Sequence, residues 1–135
     1  CIENGSIPPI IAIGTGSPQL HRHLEKLIRD LDYPPLIEEH VDFAIIAKES
    51  DHLGVNLAIG HTGGKVLTER LNIPVVRTGF PIHDRIGAQR IRNLGYIGTV
   101  TLLEQIVNTY LEHKYQHYRQ RIKSEYFDNG GKINA

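Results

Sequence analysis

Cysteine is nearly absent from this sequence and methionine is wholly absent, and each absence has a consequence. The one cysteine is Cys1, so no disulfide can form within the chain, and one thiol cannot hold an iron–sulfur cluster or a cysteine-rich zinc site. This cysteine usage indicates a cytoplasmic protein. Because the 135 residues contain no methionine, the chain is either processed or cut from something longer, and we expect a piece of a longer, multi-domain protein.

An excess of charge and a long apolar run are also missing. Fifteen basic residues balance fifteen acidic ones, so no global field favours nucleic acid or an anionic membrane. No apolar run approaches the roughly 18 residues of a membrane span, and no secretory signal is visible. The content of 40% hydrophobic and 22% charged residues is that of an ordinary globular domain. We therefore predict a single domain over residues 1–135, without a nucleic-acid or membrane partner.

Short apolar runs alternate with amphipathic segments along the chain. Residues 7–13 form a β-branched run that predicts a buried strand, and a helix follows that Ser17 caps and Pro18 opens. Repetition of this pattern predicts parallel βαβ units with right-handed crossovers. The further predicted elements are a strand or extended link at residues 36–41, a helix from Asp42 that Gly54 ends, and strands at residues 55–59 and 74–77.

The last third of the chain carries an aperiodic loop and then a long helix. Residues 78–96 lack periodicity, and a loop of this length is usually functional or an interface. Residues 99 to about 126 predict one helix, with residues 116–135 as a charged helical extension and frayed tail. We expect its charged, tyrosine-rich second half to lie across a neighbouring subunit. The predicted apolar stripe is Val100, Leu103, Val107, Leu111, Tyr115, Tyr118 and Ile122.

The turn at residues 14–18 follows the first strand, where dinucleotide-binding folds carry G-x-G-x-x-G. The third glycine would stand at the position of Gln19, and Pro18 interrupts the turn. A plain strand-to-helix turn is therefore favoured over nicotinamide or flavin binding.

A second glycine-rich turn, at residues 60–65, resembles half of a P-loop. Only three residues separate its outer glycines, and Val66 stands where a P-loop needs a hydroxyl, so nucleotide hydrolysis is not predicted. Its backbone N–H groups and polar side chains can still hold an anion, although a sharp turn for close packing is the favoured interpretation. The candidate ligand-lining residues of this turn are Gly60, His61, Thr62, Gly63, Gly64 and Lys65.

Eight histidines call for a search for metal ligands. His113 and His117 stand four residues apart on the last predicted helix and can chelate one ion, but the glutamate of H-E-x-x-H is missing and solvated side chains are favoured. His61 and His83 both follow strands, so we expect them at the carboxyl edge of the sheet, where ligands bind. No nucleophile, triad or carboxylate pair stands out. We predict no catalytic residue and no metal ligand in this chain.

Three blocks within residues 51–115 together resemble the last domain of nitrogenase component 1 proteins. They cover about half of the chain, and His61-Thr62 replaces the Asn-Ser of the family's first block. The blocks are Ile59-Gly60-His61-Thr62-Gly63-Gly64-Lys65, residues 73–85 with the pattern Ile-Pro-x-x-Arg-x-Gly-Phe-Pro-x-x-Asp-Arg, and Gly95-Tyr96-Ile97-Gly98.

The resemblance implies a three-layer α/β/α fold with a parallel sheet, Rossmann-like or flavodoxin-like, and a long C-terminal helix. It implies a role in nitrogen fixation, in which the domain supports assembly or housing of an iron–molybdenum type cluster and pairs with a paralogous alpha-like subunit in a heterotetramer. The family's cluster-ligating cysteines lie in preceding domains, so an iron–molybdenum or iron–sulfur cluster would belong to the parent complex. Residues 86–90 look more like the cofactor-scaffold type than the catalytic beta subunit.

The resemblance also bears on the loop at residues 79–85, hereafter the 79–85 loop. In the family's catalytic alpha subunit the corresponding loop supplies a histidine to the cofactor, and Phe80 stands near that place here, so no metal ligand carries over. We expect Phe80, His83, Asp84 and Arg85 to wall a cluster cavity and contact a partner, without catalysis by this fragment. From the residues alone, Asp84 either forms an ion pair with Arg85 or caps a short turn.

Two other hypotheses stay open at this stage. The chain is alternatively a stand-alone α/β domain that binds a small anion at residues 60–65, or a domain of a related tetrapyrrole reductase with the same three-domain fold. Further α/β domains with cysteines encoded upstream would contradict the first. Neighbouring genes of tetrapyrrole synthesis would favour the second.

Overall fold

The computed structural model describes residues 5–124, which contain four strands, four α-helices and two short 3-10 helices. The chain divides into two compact units, one made of residues 1–56 and 63–73 and the other of residues 57–62 and 74–135. Cys1 and the predicted tail beyond residue 124 lie outside the described residues. In the described part, each helix is too short or too polar to cross a membrane.

A parallel strand pair organises the first unit. Strand β1 (Ile10–Ile13) pairs with β2 (Leu36–Glu39), and α1 (Pro18–Ile28) connects them in the chain. The strand predicted at residues 7–13 begins only at Ile10, since Pro8 and Pro9 carry no N–H with which to join a ladder. The strand alternative for residues 36–41 is confirmed for Leu36–Glu39, while residues 40–41 lie outside the strand.

Local signals set the beginning of α1 and both ends of the next helix as predicted. Ser17 Oγ accepts a hydrogen bond from the backbone N–H of Leu20 at 3.4 Å. Helix α2 (Phe43–His52) begins after Asp42 and ends beside Gly54, whose φ of +65° is the left-handed conformation of a helix C-terminus. Helix α3 (Lys65–Leu71) packs on α2. The buried residues of the two helices are Ile46, Ala47, Ser50 and Leu67.

The second unit also contains a parallel strand pair. Strand β3 (Ala58–Gly60) pairs with β4 (Val75–Arg77), with α3 between them in the sequence. The strand predicted at residues 55–59 begins three residues later, because the Val55 N–H is bonded to the Ser50 carbonyl in the turn that follows α2. Both strand pairs are parallel and each is connected through a helix, so the predicted α/β class is confirmed. The single-domain organisation stays a prediction.

The long helix α4 (Gly95–Lys123) begins four residues before the predicted start at Thr99. The Gly-Tyr-x-Gly block, which was predicted to precede the helix, forms its first turn. Gly98 permits this, because a Cβ there would stand 2.5 Å from the carbonyl carbon of Asn93. The predicted apolar stripe is present but uncovered by described residues. Its members that are exposed are Val100, Val107, Leu111, Tyr115 and Tyr118.

Candidate functional site

Backbone hydrogen bonds tie the 79–85 loop to the turn that follows β3. Thr78 N–H donates to the Gly60 carbonyl at 3.0 Å, which extends the parallel ladder beyond β4. Gly79 then turns the chain with a φ of +79°, and the Phe80–Pro81 peptide is cis. The Pro81 carbonyl accepts from Thr62 N–H at 3.1 Å. The segments following the two strands therefore meet at the carboxyl edge of this strand pair, as predicted for the residues that follow parallel strands.

Asp84 is the centre of a side-chain network at this edge. Its Oδ2 accepts from Arg77 Nε at 2.9 Å and lies 2.8 Å from Arg77 Nη2. Its Oδ1 accepts from the Thr62 hydroxyl at 3.0 Å, and that hydroxyl accepts in turn from His83 N–H at 2.8 Å. The Arg77 and Asp84 side chains are 10% and 24% exposed, so this two-point ion pair is largely sheltered from water.

The network fixes the ionisation state of Asp84. The Arg77 hydrogen bonds, joined by that of Thr62, lower the pKa of the carboxyl from 3.8 to about 2, against the opposing effect of burial. A group with this pKa is a carboxylate at any ordinary pH, and its oxygens already accept three hydrogen bonds. Asp84 is thus suited to anchor the loop and unsuited to donate or accept protons in a reaction.

The alternative of an ion pair between Asp84 and its neighbour Arg85 is wrong. Arg85 is exposed, and its Nη1 donates to the backbone carbonyl of Asp84 at 3.0 Å. The carboxylate pairs instead with Arg77, seven residues earlier at the end of β4. Sequence reasoning did not single out Arg77, although the arginine of the Ile-Pro-x-x-Arg block was its signal. The pairing depends on the chain reversal between Arg77 and Asp84, which cannot be inferred from their positions in the sequence.

The glycine-rich turn at residues 60–65 divides between elements. Gly60 ends β3, a 3-10 helix spans Thr62–Gly64, and Lys65 opens α3. Lys65 Nζ lies 2.9 Å from Glu69 Oε1, one helical turn later, and its side chain is 60% exposed. Of the predicted cavity-lining residues, hydrogen bonds bring together Thr62, His83 and Asp84. Anion binding at this turn stays a prediction.

The 79–85 loop and the residues just after it carry both buried and exposed apolar side chains. Ile82 and Ala88 are buried at 4% and 6% exposure, whereas the Phe80 side chain is 81% exposed and Ile86 is fully exposed. Asn93 Nδ2 donates a hydrogen bond to the Thr78 hydroxyl at 2.8 Å, which joins the end of the aperiodic stretch at residues 78–96 to its beginning. An exposed aromatic ring on an anchored loop offers a large apolar area to a contacting surface. Within residues 5–124, no group of three or more potential metal-ligating side chains is found.

Comparison with known proteins places this edge in a family context. Residues 1–111 match the model of the family described as nitrogenase component 1 type oxidoreductase. The chain is 31% identical over 119 residues to the nitrogenase molybdenum–iron protein beta chain of Methanothermobacter thermautotrophicus, which covers 87% of this chain and 26% of the relative. It is 38% identical over 79 residues to the nitrogenase iron–molybdenum cofactor biosynthesis protein NifN of Bradyrhizobium diazoefficiens, covering 58% of this chain and 16% of that protein.

A solved structure supports the same relationship. The chain superposes on one titled "Nitrogenase Cp1 at pH 6.5" with a TM-score of 0.76 and 28% sequence identity, over 99% of this chain and 28% of that one. The chain therefore spans about a quarter of the length of such relatives. Since the family model covers most of the chain, including both strand pairs and the 79–85 loop, this chain belongs to the nitrogenase component 1 type oxidoreductase family.

Proposed function

We propose that this chain is part of a nitrogenase component 1 type subunit in which the 79–85 loop walls a metallocluster cavity and contacts a partner chain. The names of the relatives support this: they include a molybdenum–iron protein beta chain and a protein of iron–molybdenum cofactor biosynthesis. In this proposal the parent protein pairs with a paralogous alpha-like subunit in a heterotetramer. The iron–molybdenum or iron–sulfur cluster belongs to that complex, which either houses it or assembles it.

The observation that carries the proposal is the contrast between the base of the loop and its tip. The Arg77–Asp84 ion pair and the Thr62 hydroxyl hold the base in one conformation. The same loop leaves Phe80 exposed, which costs free energy in water unless another surface covers the ring. A pre-organised loop with an uncovered aromatic anchor binds a partner without paying the entropy of ordering the backbone.

The side chains of the loop also indicate what it does not do. Asp84 already accepts three hydrogen bonds, and Phe80 offers no ligand atom. The loop is accordingly proposed to shape and shield a cavity, with the ligands of the cluster supplied from outside this chain. Removing its contacts should weaken assembly before it alters any chemical step.

The test uses the full-length parent protein co-expressed with its paralogous partner. Phe80→Ser removes the exposed ring without touching the Asp84 network. Tyr33→Ser is the matched control, because Tyr33 is 72% exposed on the other compact unit. Co-purification of the two chains is measured together with the iron and molybdenum content of the complex.

We expect Phe80→Ser to reduce both the recovery of the partner and the bound metal, while Tyr33→Ser leaves them unchanged. Equal recovery and equal metal content in the two variants would contradict the role of the loop. Housing and assembly are then distinguished by loading the complex with a cluster that contains radioactive iron and adding an acceptor protein. A subunit that houses the cluster retains the label, and a scaffold releases it to the acceptor.

A further inference from the structure

Two histidines on the exposed second half of α4 point their ring nitrogens at each other. His113 and His117 are one helical turn apart, and their Nε2 atoms are separated by 3.2 Å. Their ring centroids are 4.5 Å apart with an interplanar angle of 84°. Since the nitrogens are closer than the centroids, the two rings converge at Nε2, the atom through which a histidine side chain commonly binds metal.

The separation of these nitrogens matches that of two ligands on one metal ion. At a metal–nitrogen distance of about 2.05 Å, two imidazole nitrogens lie about 2.9 Å apart at right angles and about 3.3 Å apart at the tetrahedral angle. The observed 3.2 Å falls between these values. The two nitrogens thus already stand at a separation that one ion can bridge.

We propose that His113 and His117 form a two-ligand site for a divalent transition metal of the zinc, nickel and copper group, which imidazole favours. Both rings bind in the neutral state with the proton on Nδ1, so the hydrogen that joins the two Nε2 atoms moves to Nδ1 and no net proton is released. The coordination positions left by two protein ligands are filled by water. The site is independent of the cluster proposed for the parent complex.

The surroundings of the pair are compatible with a bound cation. The Arg121 guanidinium, one turn beyond His117, lies 5.7 Å from the centre of the Tyr118 ring, where the ring face offsets its charge. Glu112 and Lys114 flank His113 with opposite charges, so together they add no net charge beside the pair. A metal bridging the two histidines would clamp two consecutive helical turns and so stabilise the part of α4 that has an exposed apolar stripe.

The experiment measures Zn²⁺ binding by isothermal titration calorimetry on the whole 135-residue chain. All variants carry Cys1→Ser, which removes the one thiol as a competing ligand, and the other six histidines remain in each. His113→Gln/His117→Gln removes the pair. Lys114→His/His117→Gln keeps the number of histidines but places the second one about 100° around the helix axis, where it cannot share an ion with the first.

We expect one Zn²⁺ to bind per chain, with affinity reduced roughly tenfold or more in both double variants, equivalent to about 1.4 kcal/mol. Circular dichroism should show the same helical content in all metal-free forms. Added Zn²⁺ should raise the thermal midpoint only of the chain that keeps both His113 and His117. Absence of Zn²⁺ binding by that chain overturns the proposal. So does equal affinity in the repositioned variant, because the ion would then be held by other groups.

Discussion

Asp84→Asn replaces a carboxylate that accepts three hydrogen bonds with an amide of the same shape. The substitution leaves the Arg77 guanidinium, whose side chain is 10% exposed, without a countercharge. The pKa of Asp84 falls from 3.8 to about 2 on folding, which corresponds to about 2 kcal/mol of stabilisation by its ionised form. The loss stays below the roughly 3–5 kcal/mol of a fully buried broken pair, because the Asp84 side chain is 24% exposed and solvent screens it.

The same pKa shift makes stability depend on pH in one direction. A carboxyl whose pKa is lower in the folded state stabilises the fold fully above its unfolded pKa of 3.8. This stabilisation is lost progressively as the pH falls from about 4 to about 2, where the folded-state carboxyl also becomes protonated. Asp84→Asn should therefore cost about 2 kcal/mol at pH 7 and very little near pH 2.

Urea unfolding followed by circular dichroism at pH 7 and at pH 2.5 measures both quantities. Asp30→Asn, at an exposed position after α1, is the matched control for losing one carboxylate. If Asp84→Asn and Asp30→Asn lower the free energy of unfolding equally at pH 7, the Arg77–Asp84 pair does not anchor the loop. A deficit of the same size at both pH values would equally refute the reasoning from the pKa.

Two further substitutions probe other parts of the second unit by urea unfolding. Thr62→Val removes the hydroxyl that donates to Asp84 and accepts from His83 N–H, and should cost about 1–3 kcal/mol, whereas Thr62→Ser should remain close to the parent chain. A loss equal for valine and serine would show that the methyl group matters instead. Gly98→Ala places a Cβ 2.5 Å from the Asn93 carbonyl carbon and should cost about 1–3 kcal/mol through overpacking. An alanine variant as stable as the parent chain would mean that this close approach relaxes freely.

Local sequence signals located most elements of the fold. The Ser17 cap, the Pro18 start and the Gly54 stop act within one helical turn, so their meaning is readable without the tertiary structure. Strand ends were placed less well, because a strand exists only where a neighbour pairs with it. The apolar run at residues 7–13 is longer than the strand it contains, since the ladder to β2 begins at Ile10.

The beginning of α4 shows why its predicted start at Thr99 was four residues late. Residues 78–96 lack apolar periodicity and glycine lowers helix propensity, so no helical signal precedes Thr99 in the sequence. In the structure Gly98 is buried against the Asn93 backbone, and the close approach that required glycine also allows the helix. The intrinsic helix propensity of glycine thus argues against a helix at residue 98, whereas the packing of Gly98 against Asn93 permits one.

For the candidate site, the sequence by itself determined which chemical groups are available: a glycine at position 79, the aromatic ring of Phe80, and polar residues following two strands. The exposure of Phe80 is known only from the structure. The sequence also indicated the family, because residues 59–98 contain the three blocks of the family at the family's spacing. The tertiary structure alone decided that Asp84 pairs with Arg77 rather than Arg85. The physical reason is that the strength of an ion pair depends on the distance between the charges and on their shelter from water. The turn at Gly79 brings Arg77 Nη2 to 2.8 Å from Asp84 Oδ2, whereas the side chain of Arg85 stays in solvent.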